Sequence, residues 1–252
     1  MITAVIIARN EEKDLKECIS SLKFCQKIIV IDSNSTDKTA DIAKNNGAAI
    51  LKCSKENDFS YLRNYALNKV KTPWTLFIDA DERVSPGLAD EITAAVSDTS
   101  CDGFYLFRED NMWGRELKYG DVKSVKLLRL GKTKKGKWVG RVHETWSIAG
   151  EVGQLENPLK HYPHPDIASF LISLNHYSTI RAVELKSLGI NSNLFSIICF
   201  PFGKFFHIWI IKLGFLDGIP GLVHAFCMSF YSFLVRSKLY LLSKGITDTH
   251  LR

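Results

Sequence analysis

Three carboxylates in four positions, Asp79, Asp81 and Glu82, close the apolar run Trp74-Thr75-Leu76-Phe77-Ile78, which begins after Pro73. Such a run reads as a buried strand, and its acidic end puts the carboxylates at the strand's C-terminal edge. Open α/β sheets hold ligands at that edge. Asp79 and Asp81 are two positions apart, so in an extended segment they face one side, as two carboxylates sharing Mg²⁺ or Mn²⁺ must. Magnesium takes few protein oxygens and many phosphate ones, which suggests a metal-bound diphosphate rather than a closed cage. The plainer alternative is a solvated acidic turn before a helix that starts near Pro86.

The second chemical stretch is Trp138-Val139-Gly140-Arg141-Val142-His143-Glu144. An inverting group transfer needs a general base on the acceptor hydroxyl, opposite the departing diphosphate, and a carboxylate at a strand end suits that role. Glu144 is the candidate base; the alternative is a structural His-Glu pair at a strand end.

The elements that must position these residues alternate. Residues 3–8 read as a buried strand, Arg9-Asn10-Glu11-Glu12 as its loop, and Leu15, Cys18, Ile19 and Leu22 as the inner face of a helix. The pattern repeats with a strand at 27–31, the loop Asp32-Ser33-Asn34-Ser35, a helix at 36–46 stopped by Gly47, and a strand at 48–52. A helix at 59–70 carries Arg63 and Asn64 into the acidic strand. Strands alternating with helices imply right-handed crossovers and a mostly parallel, Rossmann-like sheet. No Gly-x-Gly-x-x-Gly follows the first strand, which excludes the usual dinucleotide cradle and leaves diphosphate charge to a metal and side chains.

Four blocks in order, Ala8-Arg9-Asn10-Glu11-Glu12, Val30 through Asp37, Arg63-Asn64-Tyr65-Ala66 and Phe77 through Glu82, resemble the nucleotide-sugar half of family 2 inverting glycosyltransferases with a GT-A fold. The resemblance implies that Asp32 accepts from the uracil edge of a UDP-sugar, that Ala8, Arg9, Asn10 and Glu11 lie along the base and ribose, and that Arg63 lies beside the nucleotide. It implies Asp79 and Ala80 at the ribose or metal and Asp81 as the direct ligand of Mg²⁺ or Mn²⁺. A Gly-x-Val-His-Glu run like residues 140–144 is also carried by the lipopolysaccharide-core β-glucosyltransferase-like group, which supports Glu144. In related enzymes a later histidine completes the metal shell; His161 matches it, with His143 as the fallback.

Composition sets the outer bounds. The chain has 252 residues, 46% of them hydrophobic, enough for one α/β core with an extension and too apolar for disorder. A net charge of +6 fits an anionic partner: nucleotide diphosphate, acidic lipid or nucleic acid. The four blocks favour the first and give no role to nucleic acid. Six scattered cysteines with no Cys-x-x-Cys pair read as reduced thiols, and with no basic leader before the first strand the expected location is cytoplasmic.

Downstream, residues 103–107 read as a strand, 108–119 as a loop whose Trp113-Gly114-Arg115 suits either a sugar face or ordinary packing, 122–130 as a strand, and Lys132, Lys134, Lys135 and Lys137 as a basic turn, solvated or against acidic lipid. Residues 167–188 read as a helix. From 194 to 235 the chain is crowded with Phe, Ile, Leu and Trp, interrupted by Pro201, Gly203, Gly214 and Pro220, and bordered by Lys212, Arg236, Lys238 and Lys244. This reads as helices lying in the membrane interface, peripheral on the inner face of the plasma membrane, the alternative being a packed helical subdomain.

The expectation is therefore a GT-A domain over 1–190 and an apolar helical extension over 191–252. The expected function is metal-dependent inverting transfer from a UDP-sugar to a glycolipid or lipopolysaccharide-core acceptor. The competing classes are a nucleotidyltransferase on a Rossmann-like sheet, which would want a glycine-rich basic loop after the first strand, and a membrane scaffold, which would leave Asp32, Asp79, Asp81 and Glu144 without work.

Overall fold

Apart from Thr3, the run Ile2–Ala8 is apolar, so it can be buried on both faces, and it forms the inner strand β1. Its residues alternate as a strand must: Ala4, Ile6 and Ala8 join one core cluster and Val5 the other. The following elements are α1 (Leu15–Ser21), β2 (Lys27–Asp32), α2 (Thr39–Asn45), β3 (Ala49–Lys52), α3 (Phe59–Leu67) and β4 (Trp74–Asp79). The strands run parallel in the order β3-β2-β1-β4, with Ala8 opposite Asp32 and Ile7 opposite Asp79. That register brings the polar ends of β1, β2 and β4 to one edge. Gly47, at φ +81°, ends the α2 connection as expected of glycine after a helix.

The computed structural model describes residues 1–54, 59–97, 100–122, 125–140, 144–163 and 166–246. They form two compact units, Met1–Glu109 with Ser124–His161, and Asp110–Lys123 with Tyr162–Arg252.

The first unit continues through β5 (Glu82–Val84), α4 (Pro86–Ala95), β6 (Gly103–Met112), β7 (Arg115–Leu117), β8 (Val125–Lys132), β9 (Gly136–Val139), β10 (Thr145–Ile148), β11 (Val152–Gln154) and β12 (Leu159–His161); β7 and the end of β6 belong to the second. α4 is capped by the Ser85 hydroxyl, which accepts from the Leu88 N–H at 3.2 Å. Beyond β4 the sheet changes direction: β8 is antiparallel to both β4 and β6, and β12 to β5, while β11 adds parallel to β6. The sheet is a parallel half extended by antiparallel strands once helical crossovers cease. The basic turn after β8 is not simply solvated, because the Asp102 carboxylate accepts from Lys132 at 2.8 Å and Lys135 at 2.9 Å.

In the second unit, residues expected to be a loop form a hairpin. Trp113 and Gly114 have φ of 53° and 76°, the paired positive values of a tight type I′ turn, and join β6 to β7 with Met112 opposite Arg115. Trp113 is half-buried and lies 5.9 Å from the Phe170 ring, packed against that core. Three helices follow, α5 (Ile167–Ser187), α6 (Leu194–Phe206) and α7 (Gly218–Ser243). Phe170 and Leu174 of α5 share a core with Cys227 of α7 and with Met112, Leu117 and Val122, while Ala182 and Leu185 meet Val235, Leu239 and Leu242. α5 therefore belongs with the tail, and a boundary at residue 190 falls inside this unit. Asp217, buried before α7, accepts from the N–H groups of Lys118 and Tyr119 at 3.1 and 2.9 Å.

The tail is also less broken than its prolines and glycines suggest. α6 runs through Pro201 into a π-helical turn, His207–Ile211, and α7 is continuous over 26 residues. The segments Leu194–Ile211 and Gly214–Ser243 are long and apolar enough to cross a membrane, and only 6% and 28% of an apolar 18-residue window in each is buried.

Candidate active site

β4 delivers Asp79 as its last residue, and the chain then leaves the sheet at Ala80 and Asp81. The turn is fixed from two sides. The Ala80 carbonyl accepts from Arg83 at 2.8 Å, and the Asp79 N–H donates to the Glu82 carboxylate at 2.8 Å. Asp79 and Asp81 consequently do not share one face of an extended strand; they have separate partners.

Asp79 lies between two buried arginines. Arg63 of α3 donates to it from Nη2 at 3.0 Å, and Arg129 of β8 bonds its second oxygen through Nη2. Burial works against ionisation of Asp79, but Arg129 and Arg63 outweigh it and hold the carboxyl well below the ordinary range. Desolvation acts against charge on Arg129 as well, yet Asp79 and Glu82 raise its pKa. Glu82, fully buried and 3.6 Å from Arg129, is pushed upward by burial.

Arg63 also donates from Nε to Glu144 at 3.1 Å, so one guanidinium joins the end of β4 to the residue that precedes β10. Its position follows from packing. Trp138 of β9 and Trp146 of β10 face each other across the ribbon, stacked at 5.5 Å, and Phe77 of β4 meets each edge-on at 5.1 and 5.0 Å. The Arg63 guanidinium lies 4.5 Å over the Trp138 ring. Asn64, next in α3, fixes that strand by donating to the Trp138 carbonyl at 2.8 Å and accepting from its N–H at 2.9 Å. A Cβ at Gly136 would collide with the Trp146 indole, so glycine there is required for close approach.

Asp81 meets His161 instead, with Nε2 to Oδ2 at 3.2 Å. The two are brought together by the β5–β12 ladder, in which Glu82 stands opposite His161. Among the described residues, no group of three or more His, Cys, Asp or Glu side chains converges as a metal cluster. His143 lies outside the described residues.

At the neighbouring strand ends, the loops after β1 and β2 are laced together. Asn10, with φ 57°, accepts from the Thr36 N–H at 2.8 Å and donates from its own N–H to Ser35 at 3.1 Å, while the Glu11 N–H donates to Thr39 at 2.7 Å. Asp32, buried at the end of β2, accepts from the Ser35 N–H at 3.0 Å. Ala8 and Ala80 are buried in the same layer, and Arg9 is exposed at its rim.

Glu11 is pushed up to about 8 by burial and then by Asp81, Asp14, Asp37 and Asp79. Between its ordinary 4.5 and about 8, the folded protein keeps a proton that the unfolded chain has released, so this residue makes stability fall as pH rises through that window. Melting temperature without divalent metal is expected to fall more steeply across that window in the wild type than in Glu11→Gln; parallel curves would contradict it.

Residues 3–147, more than half of the chain and spanning every strand through most of β10, match the family model described as Glycosyl transferase family 2. The chain belongs to that family. This family 2 glycosyltransferase is 28% identical over 249 residues to the lipopolysaccharide core biosynthesis glycosyltransferase LpsC of Rhizobium meliloti, covering 95% of this chain and 92% of that protein. It is 27% identical over 260 residues to an uncharacterized glycosyltransferase of Rickettsia typhi, covering 96% and 87%. Among solved structures, glucosyl-3-phosphoglycerate synthase from Mycobacterium tuberculosis, in complex with phosphoglyceric acid, aligns with a TM-score of 0.51 at 16% identity over 77% of this chain and 81% of that one. The likeness is one of fold, the GT-A fold.

In this glycosyltransferase the structure thus joins Glu144, Arg63 and Asp79 in one network and Asp81 with His161 in a second. In the sequence Glu82 has no role beyond its place among the three acids, and Arg129 none beyond its strand. A signal for Arg129 existed, since the strand alternation puts it on the face of Val125 and Leu127, where a charged residue needs a buried partner.

Proposed function

We propose that this glycosyltransferase moves a sugar from a UDP-sugar, with inversion, to a glycolipid acceptor of the lipopolysaccharide-core kind, using Mg²⁺ or Mn²⁺. The observation that carries this reading is the Asp79–Arg63–Glu144 chain, which sets a carboxylate beside the sheet edge where nucleotides bind. Asp32, with one oxygen taken by Ser35, offers the other to the uracil edge; Ala8, Arg9, Asn10, Glu11 and Ala80 form the floor and rim, and Asn10 acts by holding the loops together.

Asp81 and His161 are the residues that would hold the cation. An oxygen and an imidazole nitrogen within 3.2 Å suit a first-row divalent ion, and the crowd of carboxylates that raises Glu11 is the surplus negative charge such an ion relieves. When bound, the metal supplies charge neutralisation for the departing diphosphate. Glu144 accepts the proton of the acceptor hydroxyl as that oxygen bonds to the anomeric carbon; the bond from that carbon to the β-phosphate oxygen breaks, and its electron pair leaves with UDP. Arg63 orients Glu144 through its Nε–H, which donates to the carboxylate at 3.1 Å.

Incubation with a panel of UDP-sugars, Mn²⁺ and extracted glycolipid, read by UDP release and by NMR of the product linkage, is the test. An inverted linkage is expected, with Asp81→Ala losing metal-dependent UDP binding; a retained linkage, or full activity in Asp81→Ala, would overturn the reading.

The acceptor assignment is supported by the name of the Rhizobium relative and by an apolar stripe on α6, where Phe195, Ile198, Phe202 and Phe206 recur at helical spacing and Phe195 and Phe202 are 71% and 64% exposed. The reading is a peripheral enzyme at the cytoplasmic leaflet, inserted by this stripe and attracted by Lys and Arg to anionic lipid. Removing everything after residue 190 would also strip α5 of its α7 partner, so point changes test it better. Phe195→Asp with Phe202→Asp is expected to weaken sedimentation with anionic liposomes about a hundredfold, from roughly 1.5 kcal/mol or more per buried ring. Unchanged sedimentation would leave the stripe without that role.

A further inference from the structure

The two ends of the parallel strands carry opposite charge. The C-terminal edge is acidic, with Glu11, Asp14, Asp32, Asp37, Asp79 and Asp81. At the N-terminal edge is a cavity of about 550 Å³, formed by the α1–β2, α2–β3 and α3–β4 connections and lined by Lys23, Lys27, Lys69 and Lys71. No acidic side chain lines it. The segments that build it, residues 18–31, 42–53 and 59–78, contain no Asp or Glu at all. Among the described residues, none of the four lysines has a carboxylate partner; Lys69 only lies 5.7 Å over the Tyr65 ring.

Helix C-termini favour nearby cations, which accounts for Lys23 after α1 and Lys69 after α3. The same argument gives no reason for Lys27, the first residue of β2, or for Lys71 before β4. Four ammonium groups around one concavity repel one another, and a multiply charged anion removes that repulsion while each lysine supplies donors. The volume is that of a small-ligand site, large enough for a phosphorylated sugar or a lipid headgroup.

We infer that this cavity is a second anion site, at the opposite sheet edge from the donor site, which takes a ligand bearing one or more phosphate groups. The phosphate belongs either to a soluble ester or to an anionic lipid headgroup, and the two sources separate experimentally. The full chain, its Asp81→Ala variant and a variant with Lys23, Lys27, Lys69 and Lys71 all changed to Gln are titrated with pyrophosphate by calorimetry without divalent cation. The same proteins are sedimented with phosphatidylglycerol and with phosphatidylcholine vesicles. All four lysines are exposed, so the melting temperature should be unchanged. Wild type and Asp81→Ala are expected to bind alike and the lysine variant to bind at least about tenfold more weakly, the loss expected from even one charge-assisted bond. A loss confined to pyrophosphate identifies a soluble ligand, and a loss confined to phosphatidylglycerol vesicles identifies a headgroup. If the lysine variant matches wild type in both, or if Asp81→Ala abolishes pyrophosphate binding instead, the inference is overturned.

Discussion

Glu144→Gln is expected to lower the transfer rate by about 10²–10⁴-fold, the range set by removing a positioned general base, while UDP-sugar binding stays close to wild type. The substitution keeps shape and one acceptor oxygen for Arg63, so the network with Asp79 persists and the loss falls on the rate rather than on donor affinity. The measurement is kcat with saturating donor and acceptor, together with a direct titration of UDP. An equal loss in UDP binding would move Glu144 from proton transfer to donor positioning. A variant within about threefold of wild type, far below the effect of any general base, would remove it from the chemistry altogether.

Arg129→Met is expected to destabilise the fold by about 3–5 kcal/mol, the usual cost of removing one partner from a buried ion pair. The arginine lies between Asp79 and Glu82; without it Asp79 retains Arg63, but Glu82 loses the guanidinium that faces it and keeps the Asp79 N–H as its hydrogen-bond donor. Guanidinium unfolding measures the loss. Adding Glu82→Gln removes the uncompensated charge and keeps an acceptor for that N–H, so the double variant should recover part of the stability, a non-additivity that a cycle resolves. Loss of less than about 1 kcal/mol in the single variant would show that water or rearrangement compensates Glu82.

These two effects differ in kind although both pass through Asp79. Arg63 reaches outward to Glu144 and links the sheet edge to the ribbon β9–β10, whereas Arg129 and Glu82 fix that edge from beneath. A network in which Asp79 is held by two arginines holds that carboxyl well below the ordinary carboxylate range. Its neighbour Glu11, which among the described residues has no such partner and has several carboxylates around it, is pushed up to about 8. The edge thus carries a graded charge distribution before any ligand arrives.

Much of the first unit is legible in the chain itself. The strands at 3–8, 27–31 and 74–78 are short apolar runs, the helices between them have one apolar face, and Gly47 marks a stop; each is a local pattern, because burial on one or both faces imposes its own period on the residues. The acidic end of β4 and the absence of a glycine-rich loop likewise need only a few adjacent positions. Other features depend on which distant segments meet. Nothing near Asp81 announces that β12 will pair with β5 and set His161 beside it, and nothing near Asp79 announces that Arg129 comes from β8. The direction of Asp79 and Asp81 turned on a carbonyl of Ala80 captured by Arg83, which converts an apparent strand into a turn. In the second unit, Trp113-Gly114 became a hairpin and α5 joined the tail because Phe170, Leu174 and Leu185 found apolar partners in residues distant in the chain, such as Met112, Cys227 and Leu239. Periodicity states that a face must be buried, and only the folded chain, where the cost of burying each charge and the gain from covering each apolar face are resolved together, decides against what.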